Sequence, residues 1–432
     1  MSTHAAADLL VASSPGRSVT PAEARALVLQ ALGALPLDGK RVLVIIPDGT
    51  RTMPMPLMFD AIEAAIGART TALDFLVALG THALMTDAQL STLVGRRVHD
   101  GQVDGHKVMN HRWDDPATFA TLGIIPAAEV RALTDGLVEQ DVTVALNRAV
   151  FDYDHVLLCG PVFPHEVVGF SGGNKYLFPG IAGPEIINFT HWLGALLGSF
   201  HVIGTGKTPV RAVIDRAAQL LPMPLTCLAL VVSREGVDGL FIGSAESAWR
   251  AASALSAQRH VTYVDRPYRR VLCVMPTMYA DLWTAGKGMY KLEPAVADGG
   301  EVVIYAPHIT EVSYTHGKQI EEVGYHCRDY FLKQWDRFGH YAGGVLAHST
   351  HVKGLGTYDA VTGVETPRIK VTLATGISEA RCRRINLGYL DPATVDIAAW
   401  NGREAEGVLV VPHAGEMLYR LRNEPRPVAS NE

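Results

Sequence analysis

The sequence predicts an α/β fold with two α/β domains: an N-terminal Rossmann-like parallel sheet and a smaller C-terminal α/β domain. Three observations predict it. Short, continuous apolar runs end abruptly in turn residues, as strands buried on both faces do. Helical segments lie between those runs, the alternation that builds a sheet covered by helices. The pattern then restarts after a polar stretch, Arg266-Pro267-Tyr268-Arg269-Arg270.

The first element is a helix. Thr20-Pro21-Ala22-Glu23 has the form of an N-cap with Pro at the first helical position and Glu at the third, and the apolar-periodic run Ala24 to Leu32 follows it. Arg41-Val-Leu-Val-Ile-Ile46 is the first strand and runs into Pro47-Asp48-Gly49-Thr50. Ala72 to Leu79 runs into Gly80-Thr81-His82, and His155 to Cys159 runs into Gly160-Pro161. Met58 to Ile66 and Asp87 to Leu93 are the intervening helices. Val271 to Met275 and Gly300 to Tyr305 open a second domain. These elements place one domain at 1–268, a second at 269–405, and a segment 406–432, with the strand Gly407 to Val411, that either rejoins the first domain or stays with the second. The tail from Asn423 to Glu432 reads as frayed.

Composition narrows the function. The chain of 432 residues is 48% hydrophobic and 19% charged, the balance of a packed globular protein. A formal net charge of -6 and the lack of a long Lys/Arg run argue against nucleic acid as a partner. Five widely spaced cysteines without a CxxC pair suggest neither a disulfide framework nor a thiolate zinc site, and fit a reducing compartment. The N-terminus lacks the basic region of a secretory signal, and no apolar run reaches the roughly 18 residues that span a bilayer. A cytoplasmic protein without a membrane partner is expected, and self-association is left open.

In open α/β sheets, ligands sit at the carboxyl ends of the strands, so the loops there carry the chemistry. The densest is Gly160-Pro-Val-Phe-Pro-His165-Glu-Val-Val-Gly-Phe-Ser171-Gly172-Gly173-Asn174-Lys175, followed by His191. Gly172 and Gly173 permit positive φ and close backbone approach, as phosphate-cradling loops require. Lone histidines and lysines are more often surface or capping groups. Here the lysine follows one histidine by ten residues and precedes another by sixteen.

Read with Asp48-Gly49-Thr50-Arg51-Thr52-Met53-Pro54 and Gly80-Thr81-His82-Ala83-Leu84-Met85-Thr86, this string resembles the nickel-pincer lactate racemase family, the LarA-like proteins. The resemblance runs from about residue 40 to residue 300. It implies an active site in the cleft between two α/β domains. It implies that Lys175 carries a covalent thioamide link to a nickel-pincer nucleotide (pyridinium-3-thioamide-5-thiocarboxylic acid mononucleotide), and that His191 is a ligand of its Ni; imidazole and soft sulfur both suit nickel. His82 and His165 are then the paired acid and base of a racemase or epimerase acting at C2 of a small 2-hydroxy acid, through a planar 2-keto acid. Histidine can exchange protons near neutral pH. Arg51 and Lys287 become cations for the substrate carboxylate or the nucleotide phosphate. Ser171, Gly172 and Gly173 become cofactor contacts, and Asp48, Thr50 and Thr52 become contacts for the nucleotide phosphate or loop-capping groups. Trp283 and Thr284 face the substrate. Cofactor biosynthesis proteins are implied partners. The lactate enzymes carry His where this sequence has Gly49, and Tyr-Gln where it has Trp283-Thr284, so a 2-hydroxy acid other than lactate is expected.

Two other readings compete. Ser171 to Lys175 also suits a pyridoxal phosphate lysine, although that leaves the spacing of His165 and His191 unexplained. A non-catalytic metal- or nucleotide-binding homologue would not need both His82 and His165. Gly204-Thr205-Gly206-Lys207-Thr208 imitates a P-loop, but the required upstream glycine is His201, and it reads as a connecting turn. His348-Ser-Thr-His351 has metal-binding spacing, yet such pairs are usually structural.

Overall fold

The computed structural model describes residues 9–13 and 17–423; the expected frayed tail beyond Asn423 lies outside them. Contacts divide the chain into two compact units. One comprises the chain up to Phe163 with Ser171–Ile187 and Arg211–Arg259, and the other Pro164–Phe170, Asn188–Val210 and the chain from His260 onward.

The first unit is built on an eight-stranded sheet. Its strands are β1 (Leu10–Ser13), β2 (Arg41–Ile46), β3 (Ala72–Val77), β4 (Gln102–Val103), β5 (His106–Asn110), β6 (His155–Pro161), β7 (Leu225–Ser233) and β8 (Gly236–Gly243), in the spatial order β1-β8-β7-β6-β2-β3-β5-β4. The five strands β7, β6, β2, β3 and β5 are mutually parallel. The edges β1, β8 and β4 pair antiparallel, so the sheet is mixed where a parallel one was expected. The central strands are apolar on both faces because helices cover both: β2 buries five of its six residues and β6 all seven. Each Val, Leu or Ile so buried contributes about 1.5–3 kcal/mol. Helix α1 (Pro21–Gly33) starts with the expected capping box, Thr20 Oγ1 accepting from Glu23 N and Glu23 Oε2 accepting from Thr20 N. Helices α2 (Met55–Ile66) and α3 (Asp87–Val94) match the other two segments read as helical.

Further on, α4 (Pro184–Leu197) carries His191, and the division between units falls within it. Helices α5 (Pro209–Ala218) and α6 (Ala245–His260) follow. The second unit holds a five-stranded, wholly parallel sheet of β9 (Tyr268–Val274), β10 (Val296–Ala306), β11 (Lys370–Thr375), β12 (Gly388–Tyr389) and β13 (Val408–Pro412), in the order β12-β11-β10-β9-β13. Helix α7 (Gly343–Lys353) belongs to the same unit.

The units interleave in sequence, which corrects a single boundary at 268. Residues 164–170 and 188–210 contain no long apolar strand to reveal which core they join. The C-terminal segment stays with the second unit: β13 pairs with β9, Val271 opposite Leu409, and Leu418–Leu421 pairs with Val261–Val264. Among the described residues, no helix is long and apolar enough to cross a membrane.

Gly160 lies on buried β6, and a Cβ there would overlap the phenol of Tyr176. Gly160→Ala is therefore expected to cost about 1–3 kcal/mol through overpacking, read from the midpoint of chemical denaturation. An unchanged midpoint would contradict this packing.

Candidate active site

Strand order places the site. In the first unit, β2, β3 and β5 succeed one another in one direction from β2, while β6 and β7 lie on its other side. The order reverses between β2 and β6, and the loops leaving their carboxyl ends diverge there to leave a crevice. Asp48 to Thr52 follow β2, His82 follows β3, and the loop containing Lys175 follows β6.

Asp48 is 6% exposed. Its Oδ1 accepts from Thr50 N (3.1 Å) and Thr50 Oγ1 (2.7 Å), and its Oδ2 lies 2.5 Å from Nδ1 of His82. Arg51 Nη1 reaches Thr50 Oγ1 at 3.3 Å. Burial pushes the Asp48 carboxyl up, but the charge and hydrogen bond of His82, with Arg51 and Thr50, hold it well below the usual carboxylate range. The pairing places a proton on His82 Nδ1 and leaves Nε2 to handle protons, a tautomer inferred from the hydrogen-bond network. The backbone of His82 is fixed as well, since its carbonyl accepts from Trp113 Nε1 at 2.7 Å. Thr52 is half-buried in the same loop.

Ser171 Oγ accepts from Phe163 N at 2.9 Å and closes the loop beyond β6. Gly172 has φ +84° and Gly173 φ +58°. A Cβ on Gly172 would stand 2.6 Å from Val162 Cγ2. A 3-10 turn, Gly173–Tyr176, then presents Lys175 half-buried. Burial raises the neighbouring Tyr176 phenol well above its ordinary value; Arg51 opposes this, and Cys159, Cys227 and Asp48 reinforce it. The residue after Lys175 thus lies in the electrostatic field of the β2 loop. Asn174 keeps a buried Oδ1 without a hydrogen-bond partner. The glycine cradle and a half-buried lysine beside a switch point have the chemistry of a phosphate-binding loop.

The second unit gathers the other predicted residues. His165 is 7% exposed on a short antiparallel pair, Pro164–His165 with Gly169–Phe170. Its Nδ1 accepts from Val167 N at 3.2 Å and lies 3.3 Å from Glu166 Oε2. His191 is half-buried on α4. On α7, His348 and His351 are three residues apart and buried. Burial lowers His351 to about 4, with Glu166 opposing and His191 reinforcing. Burial also takes His348 well below its ordinary value, helped by His351, His316 and His191. His191 therefore shares one neighbourhood with Glu166, His348 and His351. Among the described residues, no group of three or more His, Cys, Asp or Glu is arranged to hold a metal by itself.

Switch-point logic recurs here, because β10 and β13 flank β9 on opposite sides and Trp283, Thr284 and Lys287 follow its carboxyl end. Trp283 is packed by two imidazoles, His348 at 4.0 Å and His316 at 4.5 Å between centroids. His348 Nε2 in turn meets Tyr325 Oη at 3.2 Å. Lys287 is 9% exposed, with Nζ 4.4 Å from the Tyr279 ring centroid, a cation–π distance. Thr284, expected to face the substrate, has its hydroxyl 2.8 Å from Asp281 Oδ1, where it helps cap a short helix.

Sequence reasoning missed three things. Asp48, read as a phosphate contact or a loop-capping group, caps its loop through Thr50, and its pairing with His82 had not been foreseen. Glu166 stood next to His165 in the motif, so adjacency alone was a signal for it. His348 and His351 had the signal of spacing, but nothing local linked them to His191.

A family model described as the lactate racemase N-terminal domain matches residues 22–199. Lactate racemase from Thermoanaerobacterium thermosaccharolyticum is 23% identical over 278 residues, covering 62% of this chain and 60% of that protein, less than two thirds of its length. A crystal structure of a protein from Thermotoga maritima matches with TM-score 0.87 at 32% identity, over 94% of this chain and 99% of that one. The lactate racemase apoprotein from T. thermosaccharolyticum matches with TM-score 0.67 at 18% identity, over 92% and 93%, a likeness of fold.

The Asp48–His82 pair predicts a pH-dependent stability. A carboxyl depressed in the folded state stabilises above its unfolded pKa, about 4, and loses that contribution as pH falls from there toward the folded value. Asp48→Asn should cost about 2–3 kcal/mol at neutral pH, with the deficit shrinking below pH 4. A deficit that does not change with pH in urea unfolding would refute the pairing.

Proposed function

We propose that this chain, whose residues 22–199 match the lactate racemase N-terminal domain, is a LarA-like racemase or epimerase inverting C2 of a small 2-hydroxy acid. The observation that carries the proposal is the state of the two candidate bases. Each of His82 and His165 has its Nδ1 held by a defined partner, the Asp48 carboxylate and the Val167 N–H respectively, which fixes the ring that would meet the substrate hydroxyl. The engaged partners differ in kind. Asp48, a buried carboxylate, accepts the Nδ1 proton of His82. Val167 N donates to Nδ1 of His165. Glu166, 3.3 Å away, is the counter-charge available when His165 takes a second proton. Inversion requires one proton to leave the substrate oxygen and one to return, and a pair of histidines can provide this in either direction.

Lys175 and His191 are the residues that would hold a nickel-pincer nucleotide, one through its amine and the other through imidazole. When bound, that cofactor supplies the hydride acceptor and donor for C2. Arg51 and Lys287 neutralise the substrate carboxylate or nucleotide phosphate, Arg51 from the β2 loop and Lys287 from a buried position. Ser171, Gly172 and Gly173 shape the cradle, with Thr50 and Thr52 at its β2 side. Trp283, fixed by His316 and His348, occupies the position where lactate enzymes carry Tyr, which supports a substrate other than lactate. A cytoplasmic location and reliance on cofactor-making proteins accompany this reading.

The test is chiral analysis of a panel of 2-hydroxy acids with the loaded protein. Deuterium at C2 should be retained in the inverted product in ordinary water, because the hydrogen travels as hydride; full exchange with solvent would favour a pyridoxal-type proton abstraction. His82→Ala and His165→Ala should each lower the inversion rate by at least about a hundredfold. Wild-type turnover in either variant would remove that histidine from the mechanism.

A further inference from the structure

The four residues that precede Lys175 are held, one after another, by side chains from α5, α6 and β7. The Ser171 carbonyl accepts from Trp249 Nε1 at 2.9 Å. The Gly172 carbonyl accepts from Arg211 Nη1 at 3.2 Å. Gly173 lies against the Trp249 ring, where a Cβ would stand 3.0 Å from Trp249 Cβ, and its N–H faces the Cys227 thiol. Asn174 Nδ2 donates to Asp215 Oδ1 at 2.9 Å. Arg211 and Asp215 are one turn apart on α5, so a single helix face grips the loop on both sides of Gly173. The Arg211 guanidinium also lies 4.2 Å from the Trp249 ring centroid, which locks the two helices' contributions together.

This arrangement is costly to build. Arg211 is 4% exposed, and burial lowers its guanidinium to about 10 against the opposing pull of Asp215 and Cys227. A buried cation is weak evidence for stability, because apolar residues of similar volume often do as well. What it provides here is direction. Two successive positive-φ glycines have the largest backbone freedom to lose, and the side chain after Asn174 points wherever that backbone sends it. Fixing each of the four residues removes that freedom before any ligand arrives.

We propose that Arg211, Trp249 and Asp215 are positioning residues that aim the Lys175 amine and so set the efficiency with which this lysine is modified. The proposal rests on the reading of Lys175 as the cofactor-bearing residue, and it assigns α5 and α6 a role in the site that no motif in them suggests. Arg211 acts through the Gly172 carbonyl, Trp249 through Ser171 and Gly173, and Asp215 through Asn174.

The test uses the full-length chain with Arg211→Met, Trp249→Phe and Asp215→Ala, and with Arg211→Lys as the conservative variant. The first readout is acylation of Lys175 by an N-hydroxysuccinimide ester in cofactor-free protein, mapped by mass spectrometry against exposed Lys107. Each disrupting variant should label at Lys175 about five- to tenfold faster relative to Lys107, the equivalent of one lost hydrogen bond, while its thermal midpoint stays near wild type. The second readout is the fraction of chains carrying an adduct at Lys175 after limited co-production with the cofactor-making proteins; it should fall about fivefold or more, with Arg211→Lys recovering part of the loss. Unchanged labelling and loading would overturn the proposal. Should Arg211→Met fail to fold, Trp249→Phe decides, since it keeps an aromatic ring and loses the indole N–H. A wild-type chain that stays unmodified where another family member is loaded would refute the reading of Lys175; the labelling comparison would still decide the brace.

Discussion

Gly172 and Gly173 adopt backbone conformations that other residues rarely do, at the point where the chain leaves β6, and the arrangement of the first unit follows from holding them there. The loop turns back because Ser171 is pinned to Phe163 and Trp249, and it meets the field of the β2 loop because strand order reverses between β2 and β6. A side chain on Gly172 would collide with Val162, and one on Gly160 with Tyr176, so the close approach of this loop to β6 depends on small residues at both levels. The second unit solves a related problem with aromatic packing: Trp283 is held by His316 and His348, and His348 by Tyr325.

Electrostatics separates the two candidate bases. His82 is tied to a buried carboxylate kept ionised by its neighbours, whereas His165 takes a backbone N–H at the equivalent ring nitrogen, with Glu166 beside it. The same ring nitrogen therefore meets a carboxylate in one case and a backbone N–H in the other. Such a division suits a reaction that must both remove and return a proton. Burial holds His348 and His351, which feel the field of His191, toward the neutral form.

Much of the fold was legible in the sequence because its signals are local. Apolar runs such as Arg41–Ile46 have no other stable home than a doubly covered strand, and Thr20 with Glu23 fixes the start of α1 within a residue. The loops at the carboxyl ends could be named for the same reason. What failed to show was allegiance across sequence: the antiparallel edges β1 and β8, the placement of 164–170 and 188–210, and the return of β13 to β9 all depend on contacts between distant segments. The site divides in the same way. His82, His165, Lys175 and His191 stood in motifs. The Asp48–His82 bond spans 34 residues, and the Arg211 and Trp249 contacts span 39 and 78, and none has a local pattern to mark it.

The most direct test of the account is intact-mass and elemental analysis of the wild-type chain made together with the nickel-pincer biosynthesis system. The account predicts one covalent adduct per chain, mapped to Lys175, and one nickel that is lost in His191→Ala. A chain with neither adduct nor nickel, under conditions that load another member of the family, would contradict it.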